Sequence, residues 1–355
     1  GAGRDDREAQ PLRSTGQAVT RLLIPALVLA LAFPALQAGA AEPSCVARCR
    51  EMAANGELRS GVNEKGCVTN VCQEDGRRFY KSGDFEQALA SLDVLSTALE
   101  RSPSYRLDRG LVYYALGRFD EALADFNASL VNLPDAFIAS AQRAHTLIRL
   151  GRFDDAHAAF AKLLDAEASA REFRGLRTRS YLLGNMGVID LFRGDEKQAK
   201  AELTEALQID GRNTQAATYI YRVLPQLEAK TIDAAGVASF YGATEDAGTG
   251  DRKRAERETA AVIEKYPKFP ESYFLEAELL RNSYRYEDCE RILLGGERAI
   301  PSEIDLAAER LRCSLLKSGP TSAAAKPALA ELKRLNQDHP DNVLVKEILH
   351  ALDLY

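Results

Sequence analysis

Residues 75–92 read DGRRFYKSGDFEQALASL and residues 108–126 read DRGLVYYALGRFDEALADF. A third version, LIRLGRFDDAHAAF, occupies 147–160. Gly83, Gly117 and Gly151 take the same place in each copy, 34 residues apart. Each copy reads as a helix, a glycine turn and a second helix. A fixed period of this length marks a stacked array, because one helix pair cannot bury both its faces alone. Most residues of such a chain hold up their neighbours, and its function is to present a surface.

The residue types at these places suit the local roles of a stacked helix pair. Gly110 and Ala122 are expected where two helices cross, a place that a larger side chain would force open. Phe119 and Phe126 fill the wedge between helices. Gly117 suits a left-handed cap just after the first helix. Asp120 meets the dipole at the start of the second, and Pro134 stops it.

These residues together resemble the tetratricopeptide repeat family, whose units carry W-x-x-L-G-x-x-Y in the first helix and A-x-x-x-F with a terminal Pro in the second. The copy with Gly110, Tyr113, Ala122, Phe126 and Pro134 is the cleanest. The one before it has Gly76, Phe79, Ala88 and Leu92 and ends at Pro103; the one after has Ala144, Leu147, Ala156 and Phe160, with Ala168 where Pro is expected. A fourth has Gly187, Ala199 and Leu203, but Asp190 stands in the aromatic place. Later copies place Ala255 and Pro267, then Tyr273, Ala277, Leu280, Cys289, Leu293 and Pro301. No copy contains the Trp. The resemblance implies an all-α, right-handed helical solenoid of about 6–7 helix pairs.

The period breaks twice. Gly151 to Gly194 is 43 residues and Gly194 to Gly250 is 56. The expected organisation is an N-terminal extension and leader over 1–40, a Cys-rich helical hairpin over 41–75, and a regular array over 69–211. An irregular junction over 212–250, a second array over 251–340 and a capping helix over 341–355 follow. The junction reads as two helices, AATYIYRVLPQLEAK with Pro225 kinking or ending it, and TIDAAGVASFYGA, followed by a loop TEDAGTG. The last segment places Val343, Leu344, Ile348, Leu349 and Leu352 at helical spacing.

No charge falls between Arg21 and Glu42, and the apolar run ends on Ala38-Gly39-Ala40. That is the layout of a secretory leader cut after Ala40, with an uncleaved anchor as the alternative; membrane contact is expected only through this segment. Export would place the chain in the periplasm or outside the cell. Six cysteines follow, four of them at Cys45, Cys49, Cys67 and Cys72. An exported, even, local set reads as a disulfide framework. A two-helix hairpin would join Cys45 to Cys72 and Cys49 to Cys67. A zinc site with four thiolates and free or redox-active thiols stand as alternatives. Cys289 and Cys313 read equally as a third disulfide or as two buried thiols.

Nothing in the sequence builds a catalytic constellation or holds a cofactor or metal. The four histidines, His145, His157, His339 and His350, are never paired at metal spacing, and AGTGD at 247–251 lacks the lysine of a phosphate loop. Basic residues number 46 against 52 acidic ones, a net charge of −6, which provides no basic stripe for nucleic acid. The densest basic patch is Arg171, Arg174, Arg177 and Arg179.

In the family, first helices line a concave face that binds peptides or partner segments. By position, that implies a protein-binding groove of Arg77, Tyr80, Lys81, Leu107, Leu111, Tyr114, Gln142, His145, Arg149 and Asn185. Arg77→Glu with Arg149→Glu is expected to weaken partner capture and leave the fold intact. The resulting reading is an exported, non-catalytic scaffold or assembly factor that binds other proteins or peptides of an envelope complex. The alternative is a redox or chaperone-like accessory that works through its N-terminal cysteine module.

Overall fold

The computed structural model describes residues 45–169 and 176–353. The leader, and Arg171 and Arg174 of the basic patch, lie outside the described residues. Helix α1 (Cys45–Ala54) runs against α2 (Glu64–Ser82). Asn63 caps α2 by accepting the Gly66 N–H at 2.8 Å. Disulfides join Cys45 to Cys72 and Cys49 to Cys67, so the two helices are antiparallel and stapled at nested positions. Helix α2 is 19 residues long because it serves twice. Its first half holds Cys67 and Cys72, and its second half carries Gly76 and Phe79 of the first repeat.

The regular array pairs α2 with α3 (Phe85–Asp93), α4 (Pro103–Ala115) with α5 (Phe119–Asn132), α6 (Phe137–Arg149) with α7 (Phe153–Ser169), and α8 (Leu176–Arg193) with α9 (Glu196–Ile209). The packing follows the repeat chemistry. A Cβ on Gly110 would lie 2.7 Å from the ring of fully buried Phe126, so α4 and α5 cross at a distance only glycine allows. Gly117 has φ +73, and the N–H groups of Gly117 and Arg118 bond back to Tyr114 and Tyr113 carbonyls, closing α4 with a left-handed cap.

The junction differs from its sequence reading. Residues Thr214–Thr218 form α10, Tyr219–Val223 a π-helical turn and Leu224–Glu228 α11, making one continuous but irregular rod. The π turn lets the chain accommodate Pro225: the Leu224 N–H reaches the Tyr219 carbonyl one register further along. Helix α12 then runs Ala234–Thr249. TEDAGT, expected to be a loop, is its last turns, and the chain turns only at Gly250, φ +94.

Helix α12 pairs with α13 (Arg252–Lys265), α14 (Pro270–Asn282) with α15 (Tyr286–Ala299), and α16 (Ile304–Ser318) with α17 (Lys326–Asp338). A third disulfide, Cys289–Cys313, ties α15 to α16. Helix α18 (Val343–Asp353) closes the end, burying Leu344, Val345 and Ile348 with Leu311, Leu315 and Leu332.

The second array does not simply extend the first. Helix α12 lies on the inner faces of α4, α6 and α8. Tyr114 bonds Glu245, His145 bonds Tyr241, and the Phe192 and Tyr241 rings meet at 5.5 Å. The largest apolar core therefore runs from α6 to α14 and includes Phe160, Leu182, Phe240, Tyr241 and Phe269.

Candidate binding channel

Beside α12, the inner helices enclose a cavity of about 750 Å³. It extends from Tyr80 on α2 to Arg312 on α16. The helix period places every third or fourth side chain on the inner face, so Leu111 and Tyr114, Gln142 and His145, and Tyr181 and Asn185 each fall one turn apart along its wall. The opposite wall comes from Thr214, Thr218 and Arg222 before Pro225, and from Tyr241, Thr244 and Glu245 on α12.

His145 is the most constrained group in this wall. Its Nδ1 lies 2.8 Å from the Tyr241 hydroxyl and its Nε2 2.6 Å from the Tyr181 hydroxyl. Burial lowers its pKa, only partly opposed by Glu245. The imidazole is therefore neutral, accepting at one nitrogen and donating at the other. The nearby Glu245 carboxylate, 3.9 Å away, is not an ion-pair partner. Burial likewise raises the pKa of Tyr181, Tyr219 and Tyr241, so all three phenols stay protonated. With both ring nitrogens committed, His145 orients the channel wall and has no nitrogen left for a ligand.

The charged lining is balanced. Arg222 holds Glu271 at 2.6 Å, Arg281 pairs with Glu309, and Asp210 lies 3.9 Å from Arg177 and 3.6 Å from Arg212. Among the described residues, two that line the channel each keep a fully buried polar atom without a hydrogen-bond partner, Asn185 Oδ1 and Tyr219 OH.

Of the groove residues read from the sequence, the structure brings Tyr80, Leu111, Tyr114, Gln142, His145 and Asn185 onto this channel. Arg77 and Lys81 line a smaller cavity of about 260 Å³, where Arg77 is paired with Asp108 at 2.7 Å. Leu107 packs with Tyr113, Tyr114 and Phe126. Arg149 is engaged within the fold: its side chain is 7% exposed and forks onto Asp246 at 2.7 and 3.1 Å and onto Glu258 at 3.1 Å. A glutamate there would place a fourth carboxylate among Asp246, Glu258 and Glu245, so Arg149→Glu would unfold the junction and reveal nothing about capture. Arg177 lies at the channel and Arg179 pairs with Glu205 at 3.2 Å.

Sequence reasoning missed the α12 wall. Its signal is the pair Tyr241 and Glu245, four apart and so on one face, hidden by reading TEDAGTG as a loop.

The family model described as Tetratricopeptide repeat matches residues 75–137 and 142–185. The chain carries tetratricopeptide repeats. Among solved structures, a tetratricopeptide repeat protein from Parabacteroides merdae is 14% identical over 80% of this chain and 98% of its own, with a TM-score of 0.39. PilW, a type IV pilus biogenesis factor, is 15% identical over 79% and 98%, at 0.35. The TPR2AB domain of yeast Sti1, in complex with pHSP90, is 14% identical over 71% and 98%, at 0.32. No curated protein matches the chain. The tetratricopeptide repeats matched here supply one wall of the channel, from α2 to α8.

Proposed function

We propose that this chain is a protein-binding scaffold or assembly factor of the cell envelope that holds an extended segment of a partner protein in its channel. The observation that carries this reading is the channel itself, about 750 Å³ with a lining of tyrosines, amides and balanced charges. A polypeptide brings N–H donors and C=O acceptors in alternation and suits such a mixed polar and aromatic lining. A polyanion would instead need a net positive wall. The cavity also falls within the roughly 300–1,000 Å³ typical of ligand sites.

The envelope assignment rests on the apolar leader before Glu42 and on disulfides, which persist in oxidising compartments. The non-catalytic assignment is supported by His145, whose ring nitrogens are both engaged. The redox alternative has no observation in its favour, since Cys49 and Cys72 are fully buried.

A photo-crosslinking amino acid at Tyr80 or Gln215, both on the channel, should yield partner adducts in cells, while the same group at Val131, 79% exposed on α5, should not. Adducts from Val131 alone, or from all three alike, would overturn the channel as the binding surface. Cell fractionation of the same strains reports the compartment.

A further inference from the structure

A second polar cluster lies away from the channel, where α7 meets α8 and α9. His157 Nε2 is 3.6 Å from Asp190 Oδ1 and 3.8 Å from Glu202 Oε1. One ligand atom from each residue lies within 4.8 Å of the other two. Asp190 is 0% exposed and Glu202 6%. Three buried atoms in the cluster have no hydrogen-bond partner: His157 Nε2, Asp190 Oδ2 and Glu202 Oε2.

The repeat itself shows that packing does not require these groups. Two repeats earlier, and in register with the same glycines, the equivalent positions are Leu89, Tyr113 and Asp125. There Leu89 packs against the apolar cluster that contains Tyr113, and Asp125 is neutralised by Arg106 at 2.6 Å and Arg109 at 2.7 Å. The positions of those arginines are Leu183 and Met186 in the later repeat, both buried. The same structural place has thus exchanged an apolar pair for a histidine and an acid, and has removed the cations that covered the second acid. What remains is Arg193 on Asp190 Oδ1 at 2.9 Å, an arginine shared with Asp154, and Gln198 on Glu202 Oε1 at 3.0 Å. Both contacts fix carboxylate orientation and leave one oxygen of each acid free, as the outer partners of metal ligands do.

We propose that His157, Asp190 and Glu202 bind one Zn²⁺ ion, which clamps α7 to α8 and α9. Zinc takes imidazole nitrogen and carboxylate oxygen at about 2.0–2.2 Å in tetrahedral geometry, which puts neighbouring ligand atoms roughly 3.3–3.5 Å apart. Ligand atoms of the three residues lie within 4.8 Å of one another, so side-chain shifts of about 1 Å bring them to this spacing. Of the two buried carboxylates, Asp190 is paired with Arg193 and Glu202 is held by the neutral Gln198, so a dication would balance the site. Water would complete the coordination from the side of His157, whose side chain is 23% exposed. The hard cations Ca²⁺ and Mg²⁺ prefer all-oxygen shells with more ligands and do not fit one imidazole and two carboxylates. His157 and Asp190 lie near the two ends of the 43-residue interval between Gly151 and Gly194, where the strict period is lost, and Glu202 lies just beyond it.

The test is a calorimetric titration of the EDTA-stripped full chain with ZnCl₂, alongside His157→Gln and Glu202→Gln, with Co²⁺ absorption as a second readout. One Zn²⁺ per chain, at least tenfold weaker in either variant, is expected. Co²⁺ should give the visible band of a four-coordinate site in the parent chain only, and Zn²⁺ should raise the melting temperature of the parent and not of His157→Gln. His157 is partly exposed, so that variant should fold, which urea unfolding without metal checks. Zinc binding of equal strength in parent and variants, binding matched by Mg²⁺ or Ca²⁺, or no binding with a pH-dependent loss of stability in His157→Gln alone would each overturn the proposal. The last result would mean that a protonated His157 bridges the acids.

Discussion

Arg149 on α6 donates to Asp246 on α12 across 97 residues of chain, at 2.7 and 3.1 Å. Asp246 has no exposed surface and also accepts from Arg254, whose Nε lies 2.7 Å away. The Arg149 guanidinium stacks 4.6 Å over Phe119. This buried charge cluster fixes the second array inside the first and so shapes the channel.

Asp246→Asn should destabilise the fold by about 3–5 kcal/mol, because it removes the fully buried carboxylate that two guanidinium groups share and leaves them only the more exposed Glu258 and Asp251. Urea unfolding measures the loss; a change under about 1 kcal/mol would mean that water reaches the cluster. The pH response has a definite sign. Burial alone would raise the Asp246 pKa, but the hydrogen bonds and charges of Arg254 and Arg149 outweigh it and hold it below the usual value. A depressed carboxylate stabilises the fold above its unfolded pKa, and that stability is lost as pH falls through the folded value. Acid unfolding of the parent chain should therefore be steeper below the normal Asp range than that of Asp246→Asn.

The helix pairs were legible in the sequence because each obeys local rules that repeat: a small residue at the crossing, a glycine at the cap, an apolar wedge. Gly110, Gly117 and Phe126 needed no tertiary information. The nested cysteines were legible for the same reason, since a hairpin leaves few geometries. The fold-back of α12 was not, because it depends on side chains almost 100 positions apart, and a buried Arg149 looks in sequence like any groove arginine. The zinc ligands were hidden twice over. Their separations follow the superhelix and match no short motif, and Asp190 registered only as a departure from an aromatic place.

Tyr284 occupies the cap position between α14 and α15 that glycine holds in the regular repeats. Its φ is +58, and Arg285 bonds back to the Leu280 carbonyl as Arg118 does to Tyr113. The ring is 78% exposed and contributes little packing. A left-handed conformation costs a non-glycine residue roughly 1–2 kcal/mol, so Tyr284→Gly should raise stability by about 1 kcal/mol after the added freedom of the unfolded chain is counted. Gly151→Ala should do the opposite. Its added Cβ would meet nothing within 4 Å, so the backbone alone decides. Thermal melts of the two variants check the pair, and equal shifts of the same sign would contradict the cap argument.

The three disulfides close sequence separations of 27, 18 and 24 residues. Loops of this size restrict the unfolded chain enough for each bridge to stabilise by about 3 kcal/mol. Replacing Cys289 and Cys313 together by alanine should lower the urea midpoint accordingly and leave α1 and α2 unaffected. Replacing Cys45 and Cys72 should loosen the first repeat as well, since Cys72 lies on the helix that carries Gly76. Hydrogen exchange along α2 and α3 distinguishes the two variants. A native chain that reacts with a thiol reagent before reduction would contradict both.

Glu276 on α14 is half-buried, and its Oε2 has no hydrogen-bond partner. Burial, and then the nearby charge of Glu256, push its pKa up to about 7, with Arg285 opposing. The folded value therefore lies above the unfolded one. Between the two the folded state binds the proton more tightly, so stability declines as pH rises through that window. Glu276→Gln keeps the shape and removes the charge at every pH. At about pH 4, below both the folded and the unfolded values, variant and parent should melt together. At about pH 8 the variant should melt higher, because the parent must bury a carboxylate that nothing in its pocket hydrogen-bonds. Parallel melting curves across that range would mean that the carboxyl is solvated in the folded chain.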